Sequence, residues 1–390
     1  MTAPRGTQAR PPLWRDARVL RALLQVMAIV LVVLSVYILW FNVTNNLRAQ
    51  GIRTDFGFLN QPFGVPILDA NFDAGSPIRR ALLVGIKNTF ALAVVGIPLL
   101  SVIGLLIGVA RLSTNWLVSK AATLYVEVFR NLPPLLIIVF AFRAVVLRLP
   151  PPRDPATPLD LFVISNLRIT VPGFVDEPGA GAFRLVMLGL LVGAALLWWW
   201  RTRLHVRTGA PLHRALWSLG LVLVGGTGAY LLMGRPIGLT IPVLDGRLIV
   251  GGFSGLGSYF AVMGALVLYT ASHVAEIVRG SIQAVPKGQT EAAGALALTS
   301  LQRLRFVILP QALRIAIPPT INQYLNYVKN TSLAIVVAYA DVVLIAFQAI
   351  GNGQPAPQLI LMVMAAYLLF SLSISLMVNY LNRRLQFVTH

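Results

Sequence analysis

The sequence predicts an all-α integral membrane protein with about eight transmembrane helices, and three observations carry that prediction. Apolar residues make up 57% of the 390, and only 12% are charged, against about 25% in an ordinary soluble domain. The mean hydropathy is +0.76. The apolar residues also fall into runs of about 20, the length that crosses a hydrocarbon core. Finally, the lysines and arginines alternate between dense and sparse segments as the runs follow one another, which is the pattern that membrane orientation imposes.

The first run is Ala22–Phe41, where Gln25, Ser35 and Tyr37 are the polar side chains, and the second is Phe90–Ala110, with no charge at all. Leu132–Leu149 follows and contains Arg143 and Arg148. Leu185–Trp200 and Ala215–Gly234 form a pair joined by a basic loop, with Trp198, Trp199, Trp200 and Arg201 as an interfacial belt. Ser258–Ala275 comes next, then a run from Ile315 to about Ala346, and lastly Leu359–Leu381. Ahead of the first run, the Pro- and Arg-rich tail MTAPRGTQARPP has a disordered composition. The long run after it, with no small-x-small site close behind, predicts an uncleaved signal anchor rather than a signal peptide. The segment 43–82 is rich in Asn, Gly, Pro and Asp and is expected as loop.

With the N-terminus inside, the inner segments 1–21, 111–131, 201–214, 276–314 and 382–390 carry 19 Lys/Arg against four acids. The outer segments 43–82, 149–182 and 235–256 carry eight of each. Both termini are therefore expected in the cytoplasm. The net charge of +19 lies along one membrane face and does not call for nucleic acid as a partner. Cysteine is absent and the four histidines are scattered, so neither thiol chemistry nor a metal site is expected. No Gly-x-x-x-x-Gly-Lys-Ser/Thr occurs, so no P-loop binds ATP in this chain.

Motifs concentrate in two stretches. The first contains GIKNTFALAVVGIPLLSVIG and YVEVFRNLPPLLIIVF; the second contains AEIVRGSIQAVPKGQTEAAGALAL, LPQALRIAIPP and VKNTSLA. Together they resemble the permeases of the polar-amino-acid uptake family of bacterial ABC importers. The extra N-terminal helix and the long middle insertion are similar to the longer permeases of general L-amino-acid systems. The resemblance covers a little over half the chain. It implies a type I ABC-importer permease core split into 83–148 and 257–390. Around that core lie the cytoplasmic tail 1–21, an extra helix with an outer loop at 22–82, and an insertion at 149–256. It further implies separate ABC ATPase subunits that hold the ATP and Mg, a second permease (homologous or identical), and a periplasmic or extracellular amino-acid-binding protein. This chain itself is expected to bind no cofactor and catalyse no covalent chemistry.

The resemblance assigns the segment 284–310 as the cytoplasmic coupling loop, with Glu291, Ala292, Ala293, Ala297, Leu309 and Pro310 as its motif positions. Glu291–Leu298 has good helix formers, Thr299 or Ser300 can cap a second short helix over Leu301–Leu309, and Pro310 is expected to end it. Two such helices make a rigid knob for a groove on a partner; the plain alternative is a solvated hairpin between spans. The family has glycine where this chain has Ala297, and isoleucine is usual where Val307 stands. Alanine resists a left-handed backbone, so either the turn lies elsewhere or Ala297 continues a helix.

A second candidate site is the polar break Lys329, Asn330, Thr331 and Ser332. At 1.5 Å per residue, Lys329 stands about 21 Å beyond Ile315, deep in a span. Charge at such depth faces a cavity or a partner. Lys329 either lines a substrate path, with Asn322, Asn326 and Tyr324 in the same span, or pairs with Asp341. Glu276 with Arg279, and Glu127 with Arg130, are three residues apart and form gate or anchor pairs on a helix turn. Arg143 faces either the insertion or the path. The rival function, an ion-coupled secondary transporter, needs coupling acids within the spans, and Asp341 is nearly the only one.

Overall fold

The computed structural model describes residues 17–49, 51, 55–68, 72–209, 213–246 and 248–385. Most of the N-terminal tail and the last five residues lie outside them. Among the described residues, seven helices are long and apolar enough to cross a membrane, or eight if one bent pair counts as a span.

Helix α1 (Ala17–Ala49) is apolar on every side, and none of its hydrophobic window is buried. Such a helix is stable only with lipid or another chain around it. The segment after it is more than loop. A short 3₁₀ turn, Gly57–Asn60, leads into a small apolar plug of Phe58, Phe63, Ile67 and Phe72, with Phe63 edge-on to Phe72 at 5.8 Å. Helix α2 (Ile78–Ala110) then starts twelve residues earlier than the charge-free run from Phe90.

Helix α3 (Trp116–Asn131) is capped by the Asn115 side chain, which accepts from the N–H groups of Leu117 and Val118. The expected third span is corrected here. Pro133 and Pro134 hold Leu132 and Pro133 in extended backbone. The chain therefore bends by 104° into α4 (Pro134–Phe140), a π turn at Ala141–Val145 and a 3₁₀ turn at Val146–Arg148. The 15 residues after the bend reach crossing length only together with α3.

Among the described residues, seven short strands appear in the expected outer segments, a departure from the purely helical expectation. They are β1 (Val163–Ile164), β2 (Arg168–Val171), β3 (Gly173–Asp176), β4 (Ile237–Thr240), β5 (Val243–Asp245), β6 (Leu248–Val250) and β7 (Phe253–Leu256). All pairs are antiparallel: β2 with β1 and β7, β3 with β4, and β5 with β6. These pairings tie the two ends of the insertion together. Between them rises a hairpin of α5 (Ala180–Thr208) and α6 (Arg214–Leu232).

Helix α7 (Gly257–Gln283) is the centre of the molecule, with 56% of its apolar window buried. After it come α8 (Lys287–Ala295), α9 (Ser300–Arg303), a π turn at Leu304–Ile308, and α10 (Leu309–Asn330). The expected single span from Ile315 to about Ala346 is also corrected. The helix is already under way at Ser300, narrows to a 3₁₀ turn at Thr331–Val337, and reverses at Ala338, whose φ is +53°. Asp341 then caps a separate short helix, α11 (Val342–Gly351), and α12 (Ala356–Leu385) completes the chain.

Small residues bring the core helices together. A Cβ on Gly104 or Gly108 of α2 would meet Val274 at 2.6 Å or the Ala275 carbonyl at 2.7 Å on α7. In a membrane, close packing of this kind does the work that the hydrophobic effect does in water. Gly96 makes room for Tyr327 of α10, whose hydroxyl donates to the Leu92 carbonyl at 3.0 Å. Leu92, Leu100, Ile138, Val262, Leu266 and Tyr327 are the buried centre of this α2–α4–α7–α10 cluster. A second cluster packs the plug and the start of α2 on Val342, Ile345 and Ala349 of α11.

Candidate functional site

Three arrangements come from the predicted site residues, and the knob between α7 and α10 is the first. Pro286 opens α8, and α8 closes with a left-handed turn at Ala297 (φ +54°). The Leu298 N–H donates to the Ala293 carbonyl at 3.2 Å and the Ala297 N–H to the Gly294 carbonyl at 2.9 Å. This pair of bonds is the Schellman termination, which places its left-handed residue where Ala297 stands. The expectation that the turn lies elsewhere, or that Ala297 continues a helix, is thus corrected: alanine itself takes the left-handed position. Thr299 then caps α9, accepting from the Gln302 N–H at 3.3 Å while the Gln302 side chain accepts from the Thr299 N–H at 2.9 Å.

Pro310 does not end this helix. It is the second residue of α10, just after the π turn at Leu304–Ile308. The wider turn makes room for the ring where a regular helix would clash with the carbonyl of Phe306. The knob is held to α10 by Gln311, which donates to Gln289 at 3.4 Å. Ala293 is 3% exposed and faces inward, whereas Glu291, Ala292, Ala297, Leu309 and Pro310 are exposed. Glu291 makes no ion pair among the described residues, and Leu296, Leu301 and Phe306 of the same segment are exposed.

The second arrangement is an ion cluster. Glu276 of α7 binds Arg279 one turn along the helix and Arg111, the residue that follows α2. Arg130 at the end of α3 lies 3.7 Å from the same carboxylate. Three helices thus meet on one acid. Glu127 lines the cleft of about 380 Å³ beside it with Asn131 and His273, but among the described residues it forms no salt bridge with Arg130. Arg111 was absent from the residues expected here. As the first charge after a long uncharged run it reads as an interfacial anchor, and a partner 165 residues away is not visible in local sequence.

The third arrangement lies on α10. Asn322, Asn326 and Lys329 are spaced four and three residues apart, so they share one helix face, and all three are exposed. Asn330 is half-buried and off that row. Thr331 is fully buried, its hydroxyl donating to the Val328 carbonyl at 2.7 Å, and the Ser332 hydroxyl donates to the Lys329 carbonyl at 2.8 Å. Tyr324 reaches the other way, to Ser101 on α2 at 2.8 Å. The alternative pairing of Lys329 with Asp341 is not formed. Asp341 is fully buried, accepting from the Leu344 N–H at 2.8 Å as the cap of α11 and lying 3.4 Å from the Tyr367 hydroxyl. Asn88 of α2 donates to the Ala340 carbonyl at 2.9 Å and Tyr339 donates back to the Asn88 carbonyl at 3.1 Å, which fixes the turn before that cap. Arg143 lies in the π turn after α4.

The model of the family described as "binding-protein-dependent transport system inner membrane component" matches residues 100–387, a stretch that contains all three arrangements. The chain belongs to this family. It is therefore the multi-pass membrane component of a transport system. It is similar to the putative amino-acid ABC transporter permease protein YhdX of Escherichia coli (strain K12), with 39% identity over 371 residues that cover 94% of each chain. It is also similar to the general L-amino acid transport system permease protein AapQ of Rhizobium johnstonii, 37% identical over 93% of this chain and 92% of that one. The glutamate/glutamine/aspartate/asparagine transport system permease protein BztB of Rhodobacter capsulatus is 33% identical over 95% of both. Matches this complete take in the α5–α6 hairpin, so the insertion is a feature of long relatives rather than of this chain alone.

Proposed function

We propose that this membrane component is the permease subunit of an ATP-driven importer that carries L-amino acids across the bacterial inner membrane, with both termini in the cytoplasm. The observation that carries the proposal is the α8–α9 knob: a short, capped helix pair, held to α10, that leaves Glu291 without an ion pair among the described residues and keeps several apolar side chains exposed. A solvated hairpin has no reason to keep Leu296, Leu301 and Phe306 on its surface, whereas a docking element does. The partner is a separate ATPase, which supplies the ATP site and Mg. A basic residue in its groove would meet Glu291.

The polar row of Asn322, Asn326 and Lys329 faces the translocation path, because polar and charged groups on a membrane helix are stable only against a cavity or a partner. A second permease closes the other side of that path. A soluble binding protein delivers the amino acid from outside, and its carboxylate meets the Lys329 ammonium. Transport then requires affinity to differ between inward- and outward-facing states.

The test is co-purification with the ATPase followed by uptake into vesicles with a panel of labelled amino acids. ATP-dependent uptake that survives an ionophore is expected; uptake that collapses with the ion gradient and ignores ATP would instead show an ion-coupled secondary transporter. The variant Glu291→Lys is expected to insert normally, bind the ATPase weakly and transport nothing. Wild-type binding and uptake in that variant would remove the knob from the coupling role.

A further inference from the structure

The α5–α6 hairpin is outside the proposed path, and its turn end has an unusual side-chain arrangement. Between Glu177 and Asp245 the chain has no acidic residue. At the turn end, Arg214 of α6 crosses to α5: its guanidinium lies 4.6 Å from the Trp198 ring centroid, and it donates to the Thr202 hydroxyl at 3.3 Å. Arg201 crosses the other way and lies 5.4 Å from the Trp217 ring. Arg203 stacks on Trp199 at 4.0 Å, and Arg207 is exposed about one helical turn further on. Stacking covers one face of the Arg203 guanidinium and leaves its N–H edge, with that of exposed Arg207, on the surface to bind an oxyanion. Below them the helices are apolar, and only 17% of α5's window and 11% of α6's is buried.

We infer that this end of the hairpin binds the phosphate headgroups of anionic phospholipids in the cytoplasmic leaflet. The charge pattern selects an anion, and the exposed apolar flanks of Leu191, Leu196, Leu216 and Leu219 select one that carries acyl chains. An acidic partner protein would have no use for these flanks, and a free phosphate would have no use for the tryptophan belt. The hairpin thus holds lipid against a permease core that packs mostly through its other helices. The inference rests on the proposed orientation, with residues 201–214 inside.

The full-length chain would be reconstituted in nanodiscs of phosphatidylcholine with or without phosphatidylglycerol or cardiolipin, and retained lipid counted by native mass spectrometry. Phosphatidylglycerol or cardiolipin should be retained over phosphatidylcholine, and an excess of inorganic phosphate should not displace it. The double variant Arg203→Gln/Arg207→Gln spares the two arginines that stitch the helices. It should bind anionic lipid about fivefold more weakly per arginine removed, with unchanged thermal stability in phosphatidylcholine. Equal retention in variant and wild type would overturn the inference, as would displacement by phosphate, which would mark a free-anion site. Failure of the variant to co-purify with the ATPase or the second permease, whatever the lipid composition, would assign the arginines to a protein interface and overturn it equally. Lipid retention reads the site directly, whereas thiol labelling reads orientation, so the two failures are separable.

Discussion

Single residues decide how this chain's special turns are made. Ala297 holds a left-handed backbone that costs an L-residue about 1–2 kcal/mol, and it does so because the Schellman bonds leave no other position for the turn. Ala297→Gly should therefore stabilise the knob by about 1 kcal/mol, read as slower hydrogen exchange over 287–303; unchanged or faster exchange would show that the strain is relieved another way. The separation of Lys329 from Asp341 gives a second expectation. Asp341 caps α11 from a buried position, so Asp341→Ala should destabilise the protein by about 1–2 kcal/mol, whereas Asp341→Asn, which also caps well, should cost little. Lys329→Met should leave thermal stability unchanged and lower amino-acid uptake. Rescue of a Lys329→Met assembly defect by Asp341→Asn would restore the ion-pair reading that the structure does not contain.

At the scale of elements, the ends of α2, α3 and α7 are gathered by one carboxylate. Glu276→Gln would leave the Arg111, Arg130 and Arg279 guanidinium groups crowded with no anion among them. It should lower the protein's stability by about 1.5–3 kcal/mol, the worth of hydrogen bonds to a charged group. Glu127→Gln, at the cleft wall with no salt bridge among the described residues, should fall within about 0.5 kcal/mol of wild type. Thermal unfolding of the two variants in one detergent compares them directly. Equal losses would show that the cleft's overall charge matters and not the Glu276 contacts. The same cluster shows where local reasoning stops. Glu276 with Arg279 was legible from spacing, because helix geometry sets it, while Arg111 enters only through the packing of α2 on α7 at Gly104 and Gly108.

For the whole molecule, orientation is the testable quantity, and the absence of cysteine supplies a clean background. Cysteines at Thr208 and Gly288 should resist an impermeant thiol reagent in intact cells, while one at Pro158 should react. Thr208 is preferred to the adjacent Gly209, whose left-handed backbone (φ +70°) would strain any side chain. Labelling of residue 208 from outside would show that the bent α3–α4 pair does not cross the membrane and that the hairpin is inverted.

The amino-acid sequence alone determined that this is a helical membrane protein, where most of its spans lie, and which segment forms the knob. Those properties depend on hydrophobic length, charge asymmetry and capping chemistry, all of which are local. It could not show that the third span breaks at Pro133, or that Pro310 is absorbed by a π turn, because each depends on how a helix relieves a clash in its packed setting. The strands of the outer segments were equally hidden: β2 pairs with β7 more than 80 residues away, and such short stretches acquire strand character only from their partners. Tertiary packing likewise decided that Asp341 is a buried cap rather than a partner for Lys329. The reversal at Ala338 turns one residue inward and leaves the other on the exposed row with Asn322 and Asn326, a separation that no spacing rule contains.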